Sequence, residues 1–150
     1  MIHFKHVGIY VEKIEIMTEF YRNSFEMKTI CENVEDSGEL IKQLFGEKTQ
    51  VLISKLITSR GAETQIGDMI ELIQPPSEFR VTASKKNVYE VGNAHISLGV
   101  EDILDVTERI VRNGGKIETA ILDMGNENRC CFCTDPEGNW IELIQNGVNK

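Results

Sequence analysis

Two pentapeptides in this chain are identical: Ile70-Glu71-Leu72-Ile73-Gln74 and Ile141-Glu142-Leu143-Ile144-Gln145. A carboxylate inside such an apolar run is costly to bury without a partner, so each Glu calls for a use. Upstream of each copy stands a histidine in a shared context. Lys5-His6-Val7-Gly8-Ile9-Tyr10-Val11-Glu12-Lys13-Ile14 matches Ala94-His95-Ile96-Ser97-Leu98-Gly99-Val100-Glu101-Asp102-Ile103, with His, Val, Glu and Ile coincident. The histidines lie 89 residues apart and the glutamates 71, so the chain is a duplication whose first half carries about 18 extra residues. Singly, each of the four would read as an ordinary strand histidine or a solvated glutamate. Together, His6, Glu71, His95 and Glu142 are a set of nitrogen and oxygen donors for a divalent first-row ion. They fill four of six octahedral positions and leave the rest to water or substrate oxygens. Such a set does not choose sharply among Ni, Co, Zn and Mn. His3 has no counterpart in the second half and reads as a surface residue.

The elements that must position these residues follow from hydrophobic period. Residues 4–11 alternate as a strand, with Val7, Ile9 and Val11 on one side and His6, Gly8 and Tyr10 on the other. Ile14, Met17, Phe20, Tyr21 and Phe25 mark a helical stripe. Residues 27–34 read as a strand, 35–39 as a polar loop, and 40–45 as either a helical turn or more loop. Residues 50–57 are strand, 58–64 a turn through Gly61, and 65–74 strand, stopped by Pro75-Pro76. Residues 75–92 are the linker between a first module, 1–74, and a second, 93–150. In the second module, residues 93–100 are strand. Asp102 caps a helix over 103–113 whose stripe is Ile103, Val106, Ile110 and Val111, ended by Gly114-Gly115. Strands follow over 116–122, 129–134 and 140–145, with a polar loop at 123–128 and a tight turn at Asp135-Pro136-Glu137-Gly138-Asn139. Each half is βαβββ, giving one α+β domain of paired modules with helices on one face of a curved sheet. In both pentapeptides Ile and Leu point one way and Glu the other, so the two His and two Glu all share the face away from the helices.

A chain of 150 residues is one domain's worth. A net charge of −8 opposes binding to nucleic acid or to anionic membranes. No run is long enough to span a bilayer, and the N-terminus lacks a signal-peptide pattern. Cys31, Cys130, Cys131 and Cys133 form no Cys-x-x-Cys pair. They read as reduced thiols of a cytoplasmic protein, small apolar fillers of a strand ahead of a thiolate metal site.

At these residues the chain resembles the vicinal oxygen chelate superfamily, also called the glyoxalase, bleomycin-resistance and extradiol-dioxygenase superfamily. The motifs are His6-Val7-Gly8-Ile9-Tyr10-Val11, Phe20-Tyr21-Arg22-Asn23, Met69-Ile70-Glu71-Leu72-Ile73, His95 to Asp102 and Asp135 to Leu143, spanning nearly the whole chain. The resemblance implies paired βαβββ modules forming a cup, with the family's usual metal ligands at His6, Glu71, His95 and Glu142. The His/Glu/His/Glu pattern is most similar to glyoxalase I, a lyase acting on a thiol adduct of methylglyoxal. That implies a divalent metal (Ni, Co, Zn or Mn) polarising two neighbouring substrate oxygens, an enediolate, and a Glu moving the proton. By the same resemblance Glu142 is the base, with Glu71 the other candidate. Methylmalonyl-CoA epimerase commonly has Gln at the position of Glu71, and residues 50–57 offer no additional acid for it. Extradiol dioxygenases use two His and one Glu for Fe(II). A separate reading is a metal-independent protein that sequesters a small drug-like ligand, with Trp140, Phe132 and Tyr10 as stacking surface. The favoured alternative for those three is core packing. The expected partners are a small-molecule substrate and a second copy in a homodimer.

Overall fold

Strand and helix periods in the first half sort its side chains onto two faces of one sheet. The computed structural model describes residues 2–80 and 87–147. In order come β1 (Val7–Tyr10), α1 (Ile14–Phe25), β2 (Lys28–Asp36), α2 (Glu39–Phe45), β3 (Val51–Ile57), α3 (Ser59–Thr64) and β4 (Met69–Gln74). The strands pair in the order β1-β4-β3-β2. β4 therefore runs between a parallel β1 and an antiparallel β3. Its even-numbered side chains, Ile70 and Leu72, are 2% and 0% exposed on the side where α1 packs. From α1 the buried stripe is Ile14, Met17, Phe20 and Tyr21. Each such side chain contributes about 1.5–3 kcal/mol by leaving water.

The second half repeats the plan with β5 (His95–Val100), α4 (Ile103–Arg112), β6 (Lys116–Ile117), β7 (Leu122–Gly125), β8 (Asn128–Thr134) and β9 (Trp140–Gln145). β9 runs between a parallel β5 and an antiparallel β8, and both β6 and β7 pair with β8. Ile141, Leu143, Cys131 and Cys133 are buried with Ile103, Val106 and Ile110 of α4. The α+β character is thus present; the first half is βαβββ with α2 and α3 set between its strands, and the second has four strands after its helix because β6 and β7 both pair with β8. The chain divides into two compact units, one carrying β1–β4 and the other β5–β9.

The last residue of each repeated pentapeptide has a task that its sequence did not announce. Gln74 Oε1 accepts the Ile14 N–H at 2.8 Å, and Gln145 Oε1 accepts the Ile103 N–H at 2.9 Å. Each helix begins with backbone donors that lack an intrahelical partner, and a glutamine from the neighbouring strand satisfies one of them. Lys13 provides α1 with no side-chain cap. Asp102 caps α4 as expected, accepting from Leu104 and Asp105 at 3.0 and 3.2 Å.

Several elements depart from the sequence reading. The ladder of the first strand starts at Val7, so His6 stands just ahead of it. Residues 58–64 are not a plain turn. Thr58 Oγ1 accepts from Gly61 N at 3.0 Å and starts α3. Glu35 and Asp36 continue β2 rather than beginning a loop. Residues 40–45 belong to α2. The strand expected over 116–122 breaks after Ile117, because Glu118 and Thr119 both donate to the Phe132 carbonyl and bulge the chain. The expected polar loop at 123–128 is a hairpin: Asn126 and Glu127 both take positive φ, 53° and 63°, the turn whose twist suits paired strands. Val111 is 57% exposed, and Thr107 completes the α4 stripe in its place. Of the expected linker 75–92, residues 81–86 lie outside the described residues. Ser77–Phe79 form one 3-10 turn, and Arg80 Nε donates to the Pro75 carbonyl at 2.8 Å. No helix among the described residues is long and apolar enough to cross a membrane.

Candidate functional site

In the first unit the chemistry gathers around Glu71. Registers pair Gly8 with Glu71 across β1/β4, and Lys55 with Glu71 across β3/β4. Glu71 alternates against Ile70 and Leu72, so it stands on the sheet face opposite α1. His6 reaches it from the segment leading into β1. That segment is held by Gly67 at φ 63°, where a Cβ would collide with the Phe4 carbonyl. At Gly8 an added Cβ would meet only Ile73, at an ordinary 3.7 Å, which leaves room beside the carboxylate. His6 Nε2 lies 3.2 Å from Glu71 Oε2, and Lys55 Nζ lies 2.9 Å from Glu71 Oε1. The hydrogen bond to Glu71 raises the Lys55 pKa above its usual value of 10.5, outweighing the opposing effect of burial. Lys55 is a site residue that the sequence reading passed over, since a lysine in a strand reads as solvated surface.

In the second unit Glu142 takes the same place on β9. Ser97 of β5 and Phe132 of β8 are its register partners. His95 Nε2 stands 3.7 Å from Glu142 Oε2. The Phe132 ring meets the His95 imidazole edge-on, with centroids 5.2 Å apart at 84°, and meets Trp140 at 6.2 Å and 72°. The loop that launches β9 is stiff. Asp135, 2% exposed, accepts from Glu137 and Asn139 backbone N–H groups at 3.0 and 2.8 Å and from Asn139 Nδ2 at 2.8 Å.

The structure thus brings each expected histidine to its expected glutamate. Two donors bound to one ion at 2.0–2.2 Å lie about 3 Å apart when they subtend a right angle and farther apart at wider angles. The 3.2 Å separation is close to that of a right angle, whereas 3.7 Å calls for a wider one. Among the described residues no group of three or more His, Cys, Asp or Glu side chains is gathered. The favoured reading of Tyr10, Phe132 and Trp140 as core is overturned. Tyr10 is 56% exposed, while Phe132 and Trp140 are half-buried on the His95 face. Tyr10 leans on Phe45, which leans on Phe79, at 6.3 and 5.4 Å. The cysteines are all free. Cys131 and Cys133 face the core side, and burial pushes the Cys133 thiol up to about 12.

A family model described as the Glyoxalase/Bleomycin resistance protein/Dioxygenase superfamily matches residues 3–143. The chain belongs to this superfamily. Among relatives of the glyoxalase superfamily, a lactoylglutathione lyase of Salmonella typhimurium is 27% identical over 145 residues, covering 93% of this chain and 90% of that one. A probable lactoylglutathione lyase of a Synechocystis species is 41% identical over 66 residues, covering 41% of this chain and 50% of the relative. Among solved structures, a glyoxalase family protein from Bacillus cereus superposes with a TM-score of 0.84 at 21% identity, covering 98% of this chain and 95% of the other. The trypanothione-dependent glyoxalase I of Leishmania major gives 0.63 at 21% identity, covering 97% and 87%. At these identities the structural matches establish a shared glyoxalase fold.

Proposed function

We propose that the protein is a divalent-metal-dependent lyase or isomerase of the glyoxalase I type, with His6, Glu71, His95 and Glu142 as protein ligands. The observation that carries this reading is the pairing of one imidazole with one carboxylate on the sheet face opposite α1 in one unit and opposite α4 in the other. Likeness to a lactoylglutathione lyase over nearly the full chain supports it. The ion, when bound, acts as a Lewis acid on two neighbouring oxygens of a small substrate and stabilises the enediolate.

The remaining steps belong to the chain. His6 and His95 would present Nε2 to the ion. Glu142 takes the proton from one of the two adjacent oxygen-bearing carbons and returns it to the other. Phe132 stands edge-on to His95 and restricts the rotation of that imidazole. Glu71, tied to Lys55, is the less free of the two carboxylates, which favours Glu142 as the base. An epimerase that needs an acid on β3 is disfavoured, because the residue opposite Glu71 there is a cation.

A second reading is metal-independent binding of a small aromatic compound, favoured by the exposure of Tyr10 beside Phe45 and by the half-buried Phe132 and Trp140. The deciding experiment measures bound metal by elemental analysis after dialysis against Ni, Co, Zn or Mn. It then measures turnover of thiol–methylglyoxal adducts, acyl-CoA epimers and catechols, the last under Fe(II). Protein that takes up no stoichiometric metal, yet changes its Trp140 fluorescence with aromatic ligands, would replace the first reading by the second.

A further inference from the structure

The His–Glu pair recurs in both halves, but the register neighbours of its glutamate differ: Gly8 and Lys55 flank Glu71, whereas Ser97 and Phe132 flank Glu142. Opposite Glu142, the antiparallel neighbour supplies Phe132; opposite Glu71, it supplies Lys55. An aromatic ring serves the fold at that place in one sheet, so the fold does not require a cation there in the other. Lys55 has apolar surroundings on its face. Ile53 and Ile57 flank it along β3, and Met69 and Ile73 flank Glu71 along β4. On its other side β2 loses regular register around Cys31, the partner of Lys55, and Asn33 takes φ 52°. The Asn33 N–H is held by Ser54 Oγ at 3.0 Å. The ammonium is thus flanked by apolar side chains beside an irregular strand, with Glu71 as its ion-pair partner and Cys31 and Asp36 also acting on its charge.

That partner is also the proposed metal ligand. With a dication held by Glu71 and Glu142, and Lys55 beside Glu71, three positive charges would face two negative ones. A ligand that brings its own negative charge relieves the imbalance, whereas a neutral ligand leaves it. We propose that Lys55 is a specificity residue: it receives an oxyanion, a carboxylate or phosphonate, carried by the substrate one or two carbons from the oxygens that meet the metal. This inference rests on the metal-dependent reading above, and it narrows that reading to acidic substrates.

The test uses two chelating probes that differ by one carboxylate group. Acetohydroxamate offers two neighbouring oxygens; malonic monohydroxamate offers the same pair with an added carboxylate. Zn-loaded wild type and Zn-loaded Lys55→Met are titrated with each by calorimetry, with metal content measured first. Wild type is expected to bind the carboxylated probe about tenfold tighter than the neutral one, near the lower range of one charge-assisted hydrogen bond. Lys55→Met is expected to bind the two probes within about twofold of each other, whatever its affinity for acetohydroxamate, and Lys55→Arg to retain most of the preference. Absence of bound metal in wild type overturns the functional reading and the inference together. Full metal content with the same preference in Lys55→Met, or with none in wild type, overturns the inference alone.

Discussion

Glu71 and Leu72 are neighbours in sequence and opposites in role, which makes them a matched pair of perturbations. Leu72 is 0% exposed on the α1 side of β4. Leu72→Ala removes well-packed apolar volume and should cost about 2.7–5.0 kcal/mol, whether or not metal is present. Glu71→Ala removes a carboxylate whose partners His6 and Lys55 are each more than a third exposed, at 38% and 39%. Pairs of that exposure contribute under about 1 kcal/mol, so the metal-free protein should barely change. Metal at 100 times its dissociation constant adds about 2.7 kcal/mol to a protein that binds it only when folded. For a chain of this size that is a rise of roughly 5–11 °C in melting temperature. Scanning calorimetry with and without Zn should therefore show two distinct signatures. Leu72→Ala melts lower in both states and keeps the metal-induced rise. Glu71→Ala melts near wild type without metal and loses most of the rise. If Glu71→Ala kept the full rise, Glu71 would not be a ligand; if both variants fell equally without metal, the division of β4 into a core face and a chemical face would be wrong.

Three further outcomes follow from the same geometry. Glu142→Gln should keep near-normal metal content, since the amide still offers an oxygen, while turnover falls by at least about 10², the lower end of a general base's contribution; retained turnover at full occupancy would move the role to Glu71. Burial holds the Cys133 thiol neutral to about 12 against an ordinary 9.0. The unfolded chain therefore ionises first on raising the pH, and the stability contributed by this neutral thiol is complete below pH 9 and lost between pH 9 and about 12. Urea midpoints should fall less steeply over pH 9–11 in Cys133→Ala than in wild type. Light scattering at micromolar protein should give the mass of a homodimer, and a monomeric mass would refute that expectation.

The pentapeptides were legible because they alternate strictly. A period of two, with Glu out of phase with Ile and Leu, fixes which face each side chain takes, and a second copy removes chance as an explanation. The cap at Asp102 was legible for a similar reason: its carboxylate reaches only the first turn. Lys55 was not, because nothing local separates a lysine at the rim of a sheet from one opposite a carboxylate; that depends on the register of β3 with β4, which is a long-range fact. The Asn126-Glu127 hairpin was missed because its second residue is not the usual glycine. Val111 misled by lying next to Ile110: adjacent helix residues sit about 100° apart, and α4 had room on its buried side for Thr107 instead. Phe132 and Trp140 were read as core from their type, although the same alternation that places Glu142 places them beside it.

The glutamines that end the pentapeptides act as a vernier. Sliding β4 or β9 by one residue would turn every side chain over, which the hydrophobic pattern already forbids. Sliding by two would preserve the pattern but move the amide about 6.6 Å along the strand, away from the N–H it serves at the start of the helix. Hydrophobicity alone cannot tell that mis-set sheet from the native one, whereas the Gln74–Ile14 and Gln145–Ile103 hydrogen bonds can. Each half carries its own gauge, so a gene encoding two copies of the second half would inherit strands that align their own carboxylates.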